Sequence, residues 1–168
     1  MINLIRKEDL DALSKFIIEN LQAELEAQGH NATGHLSDSM TSKNIIEVGV
    51  KILQIEAEDY VESVDKGQPK GTVVPLEDLM EWVQVKAIAS GDYLVRGIAE
   101  AIKLAIFREG TPTSGSLRFS STGKRTEFIA ESLERIEFEI ITMLEDRFVS
   151  NSKDLIDELI SSKKLDNI

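Results

Sequence analysis

The sequence predicts an α+β fold in which a small antiparallel sheet, a hairpin over about residues 43–57, packs against long N- and C-terminal helices, with two further helices between. Three observations predict it. Apolar residues recur at steps of three and four over 7–28 and again over 129–144, the spacing of one helix face. Between them, Ile46, Val48, Val50 and Ile52 alternate with period two, as a strand does. A length of 168 residues suits one domain with a single core, or a compact domain with a helical extension.

In the first helix Leu10, Leu13, Ile17, Leu21 and Leu25 form the apolar stripe, and Gly29 ends it. Residues 29–34 read as a turn-rich loop. After the alternating run, Leu53, Ile55 and Ala57 continue in the opposite phase, which predicts a turn near Gly49 and a hairpin of 43–48 with 51–57. A short helical turn over 59–66 follows. Pro75 then opens a helix at its first position, with Glu77 and Asp78 in the turn where the helix dipole favours anions. Asp92 is placed to cap a helix over 93–109 that is apolar nearly all round, so a location partly between subunits is expected. Residues 110–116 form a loop and 117–121 a short strand or extended arm. The helix over 129–144 leads to a separate short helix over 154–163. The domain reading is 1–148 as one α+β unit and 149–168 as a helical extension.

Composition narrows the functions. With 19 Lys+Arg against 30 Asp+Glu the net charge is −11, which disfavours broad duplex binding through phosphates. There is no cysteine, so disulfides, thiolate metal sites and cysteine nucleophiles are excluded. No apolar run approaches the roughly 18 residues that a membrane span needs, and the N-terminus does not read as a secretory signal. Residues 110–125 stand apart, carrying Arg118, Lys124 and Arg125 with no acid. That segment is expected to be a loosely held assembly arm, with the Glu58, Glu62 and Asp65 face of a neighbouring copy as a partner.

Chemistry is sparse. His30 and His35 flank a loop and are read as solvent-exposed, with Asp38 an unsupported third metal ligand. Gly115 to Arg125 lacks the glycine spacing and the Ser or Thr of a phosphate loop. Glu58, Glu62 and Asp65 are read as sharing one solvated helical face rather than forming a two-metal centre. No catalytic residue, cofactor or metal is assigned. Trp82, beside Leu79, Met80 and Val83, is expected to serve packing or an interface, with Trp82→Ala costing roughly 3–5 kcal/mol if the ring is fully buried.

The order of segments carries a resemblance. Gly34-His35-Leu36-Ser37-Asp38-Ser39-Met40 follows a long amphipathic helix, and a hairpin then ends in Tyr60-Val61-Glu62 and Lys66-Gly67. A Pro-started helix carrying Glu81-Trp82-Val83 comes next, and an apolar helix runs into Phe107-Arg108-Glu109-Gly110-Thr111-Pro112. Over about residues 7–145 the chain resembles the neck and tail-completion proteins of tailed bacteriophages. The resemblance implies a structural virion protein, assembled in the bacterial host cytoplasm, whose copies form a homo-oligomeric ring at the head–tail junction. Its implied partners are its own copies, the portal or adaptor, tail proteins and DNA in transit, with no membrane. Phe119 is aligned with an aromatic stretch that touches the neighbouring copy in that family. An acidic lumen suits DNA that must pass without sticking. The alternative is a small acidic regulatory protein that captures a basic partner or mimics DNA.

Overall fold

The computed structural model describes residues 4–30, 33–47 and 50–165. Its elements are α1 (Lys7–Ala27), α2 (His35–Ser39), β1 (Thr41–Glu47), β2 (Val50–Glu56), α3 (Val61–Lys66), α4 (Leu76–Val85), α5 (Asp92–Glu109), a 3-10 helix (Ser114–Phe119) and α6 (Phe128–Leu165). The sheet is the antiparallel pair β1–β2, in which Thr41 faces Glu56 and Ile45 faces Ile52. The α+β fold with a small antiparallel sheet and long terminal helices is therefore as expected. The turn near Gly49 lies outside the described residues.

The change of phase in the apolar pattern of the hairpin has a structural counterpart. On β2, Leu53 and Ile55 point inward while Val50 and Ile52 are exposed. The hairpin lies against α1, tied by Ser42 Oγ to Ser14 Oγ at 3.0 Å and by the Asn44 amide to Asp11 at 2.7 Å. α6 runs antiparallel along α1, joining Arg135 to Glu24 at one end and Arg6 to Asp154 at the other. Leu21, Leu25, Leu36, Phe128 and Ile136 form the core between these elements. Each such side chain taken fully out of water contributes about 1.5–3 kcal/mol.

A second core belongs to α4 and α5. Val83, Val95 and Ala99 are fully buried there, with Leu79 and Ile106 beside them. α4 ends in a turn where Ala87 N–H bonds Gln84 O at 2.9 Å and Ile88 N–H bonds Val83 O at 3.0 Å. This is the reciprocal pattern that closes helices through a left-handed residue, and Ala87 has a φ of 50°.

Three expectations are corrected here. Pro75 stands immediately before α4 rather than at its first residue. Residues 114–119 form a 3-10 helix, not a strand or extended arm. No separate tail helix exists over 154–163, because α6 continues unbroken from Phe128 to Leu165. The continuity has a physical cause at Asn151, which is buried against the start of α1. Its amide donates to Leu4 O and to Asp9 Oδ2, both at 2.8 Å. Burial raises the Asp9 carboxyl, but the Arg6 N–H, the Asn151 amide and nearby Arg147 and Arg6 outweigh it and leave the carboxyl low.

Candidate functional site

The two cores meet along a seam made by residues 110–127, and most of the singled-out residues sit on or beside it. The seam begins where Gly110-Thr111-Pro112 lies against Gly67-Gln68. Thr111 N–H donates to Gln68 O at 2.8 Å, and Gln68 N–H donates to Thr111 Oγ1 at 2.8 Å. Backbones approach so closely here that a Cβ on Gly67 would fall inside the Thr111 carbonyl oxygen. The same device recurs at the end of α1, where a Cβ on Gly29 would fall inside the Phe119 carbonyl oxygen. Gly29 has a φ of 75°, which glycine alone adopts freely.

Aromatic contact continues the seam. Trp82 on α4 meets Phe119 edge to face, with ring centroids 5.3 Å apart and planes at 87°. The Arg118 guanidinium lies over the Phe119 ring, 4.8 Å from its centroid. Trp82 is half-buried rather than fully buried, so its truncation costs less than the full-burial figure.

Arg125 is drawn inward. It donates to Ser116 O at 3.1 Å and Gly29 O at 3.3 Å, and Nη2 lies 3.5 Å from His30 Nδ1. His30 Nε2 in turn lies 3.2 Å from Arg125 O. Both contacts are satisfied by the tautomer with the proton on Nε2, an assignment from the hydrogen-bond network. Burial and the adjacent Arg125 charge push the His30 imidazole down to about 4, and burial also lowers Arg125. His30 is therefore half-buried and neutral near pH 7, not the exposed loop histidine expected from sequence, whereas His35 is exposed.

The expectation of a loosely held arm is corrected in the same way. Ser121 N–H and Oγ bond Ala27 O at 2.8 and 2.9 Å, and Lys124 pairs with Glu131. The acidic trio does not share one face either. Glu58 precedes α3, and Glu62 pairs with Lys66 at 2.6 Å on the exposed side. Asp65 is turned to α6, where its Oδ1 accepts Ile129 N–H at 3.0 Å and its backbone oxygen accepts Glu127 N–H at 2.6 Å. It caps α6 from 64 residues away in sequence. Such long-range anchoring has no local signature, so sequence periodicity could not reveal it.

Beneath the seam lies a cavity of about 440 Å³. Val64, Leu79, Ile102 and Ile106 supply apolar wall, and Tyr60, Trp82, Asp78, His30 and Arg125 also line it. A general base needs a free nitrogen lone pair facing the substrate, but Arg125 engages both ring nitrogens of His30. Among the described residues, no three His, Asp or Glu side chains are placed to hold a metal ion. No helix among them is long and apolar enough to cross a membrane. Comparison with family models, with curated proteins and with solved structures finds no match to this chain.

The surface carries what the seam does not. α5 buries Val95, Ala99 and Ile106, yet its opposite side exposes Tyr93, Leu94, Leu104 and Phe107, with Tyr93 91% exposed. α6 likewise turns Ile136 inward and exposes Phe138, Ile141, Phe148, Val149, Ile156 and Leu159 outward. At 100° per residue these outward positions fall on one stripe opposite α1. Sequence reasoning anticipated the apolar surface of α5 but missed this second stripe on α6. Its signal was present in the spacing of Phe138, Val149 and Ile160, eleven residues apart.

Proposed function

We propose that the chain is a structural subunit of a tailed-bacteriophage virion, whose copies form a ring at the head–tail junction through which DNA passes. One observation carries this reading: two different helices, α5 and α6, each present an apolar face away from their own cores. A cyclic assembly with heterologous contacts needs two distinct patches on every copy, one to meet each neighbour. Large exposed apolar faces on a soluble domain mark surfaces that another molecule covers. The succession of segments over 7–145 supports the same reading through its resemblance to neck and tail-completion proteins. A net charge of −11 suits a lumen that DNA must traverse.

In this reading the cavity and seam are structural, the role is assembly rather than catalysis, and the partners are like copies together with portal or adaptor and tail proteins. Cryo-electron microscopy of intact particles tests it, with the chain expected as a ring between head and tail. Sedimentation velocity supplies a second arm. A chain absent from particles, and remaining a monomer or dimer that binds basic proteins, would favour the acidic regulatory reading instead.

A further inference from the structure

We propose that Phe138 of one copy seats in a dent on the next copy, formed by Leu104 and Phe107 of α5 together with Val73 from the segment before α4. This pairing rests on the ring reading above and names the residues that would make its contact. Phe138 is 77% exposed on the outward stripe of α6, with exposed Glu137 and Glu139 on either side. Neither acid has a partner among the described residues. An exposed aromatic held between two free carboxylates is a knob with a definite electrostatic sign.

The receiving surface has the opposite character. Thr72, Val73, Glu100, Lys103, Leu104 and Phe107 surround a shallow apolar dent of about 290 Å³, and Val73 is 69% exposed. Glu100 is already held by Arg96 at 3.0 Å. Lys103 has no partner among the described residues, so the free charge at the dent is positive. An aromatic anchor entering an apolar pocket is the usual centre of binding energy, and the charges around it set orientation and partner choice.

Charge also decides against the simplest competitor. Placing Phe138 against Phe138 of another copy would bring Glu137 and Glu139 from both chains together. That repulsion would add to the self-repulsion of a chain with net charge −11. Knob and dent sit on different helices, so every copy offers both and the contact propagates head to tail.

The absence of cysteine makes the test clean. Val73→Cys places a thiol at the rim of the dent, and Ile141→Cys places one a turn beyond the knob, at sites that are exposed. With a short bis-maleimide, an equal mixture of the two single variants should give a cross-linked dimer, and neither alone should. The double variant should give a ladder of higher species. Phe138→Ala should weaken association of the full chain about tenfold or more, as loss of an aromatic anchor does. Lys103→Glu should also weaken it, and Lys103→Glu with Glu137→Lys should restore it. Unchanged association in Phe138→Ala, or cross-linking of Ile141→Cys to itself with no link between positions 73 and 141 in the mixture, overturns the pairing. A parent that associates without the mixed cross-link also overturns it, yet leaves the ring standing. A parent that never associates overturns the pairing, while the position of the chain in particles decides the ring separately.

Discussion

At the scale of single residues, His30 and Trp82 give the sharpest expectations. The His30 imidazole titrates near 4 in the folded chain and near 6.5 when unfolded, so folding disfavours its proton. Its contribution is complete above about pH 6.5, falls as pH drops through the window from 6.5 to 4, and is gone below it. With solvent screening of a half-buried ring, the stability lost across that window is about 1–2 kcal/mol. Denaturant melts between pH 4 and 7 should therefore slope more steeply for the parent than for His30→Gln; parallel slopes would contradict the assignment. Trp82→Ala should cost about 2 kcal/mol, below the roughly 3–5 kcal/mol of a fully buried aromatic, because part of the side chain is already exposed and lines the cavity. An unchanged melting midpoint would show that the Phe119 contact adds nothing.

At the scale of elements, helix ends carry the testable strain. Ala87 occupies the left-handed position that closes α4, and its Cβ crowds the backbone there. Ala87→Gly should raise stability by about 1 kcal/mol, even though glycine loses more freedom on folding. Asp65→Ala should remove the remote cap of α6 and cost about 0.5–2 kcal/mol, read by chemical denaturation, whereas Asp65→Asn should retain much of it. These ends also show what the sequence could and could not reveal. Helix α1 was legible because its burial follows one local period, as in the Leu13, Ile17, Leu21 and Leu25 series, and burial alternates likewise along β2, where Leu53 and Ile55 turn inward. The C-terminal helix reads as two pieces in sequence, and Ser150-Asn151-Ser152, which are poor helix formers, lie between those pieces. Asn151 instead bonds the start of α1, and Ser152 Oγ bonds Phe148 O at 2.7 Å, so both polar groups are satisfied without a break. Residues 110–125 were misread for a related reason. Their anchors are glycine approaches, backbone hydrogen bonds and one aromatic contact to residues far away in sequence, none of which leaves a periodic trace.

At the scale of the whole molecule, two cores sharing one seam should behave as two cooperative units. Gly29→Ala tests this, since a Cβ there meets the Phe119 carbonyl and a left-handed backbone disfavours any side chain. The cost should be about 2 kcal/mol or more. Hydrogen exchange should quicken over 67–71 and 110–127 while amides of α1 and the first turns of α6 stay protected. Uniform acceleration would mean that the two cores unfold as one. The length of α6 has a different consequence. Among the described residues its last ion pair to the body is Arg6 with Asp154, and residues 155–165 continue about 16 Å past it. A rod clamped along only part of its length works as a lever. A tilt of about 10° at the clamp sweeps the tip through about 3 Å, carrying Ile156, Leu159 and Ile160 with it. The polar clamp formed by Arg6, Asp9, Arg147, Asn151 and Asp154 thus sets the aim of an apolar stretch that runs on past the start of α1.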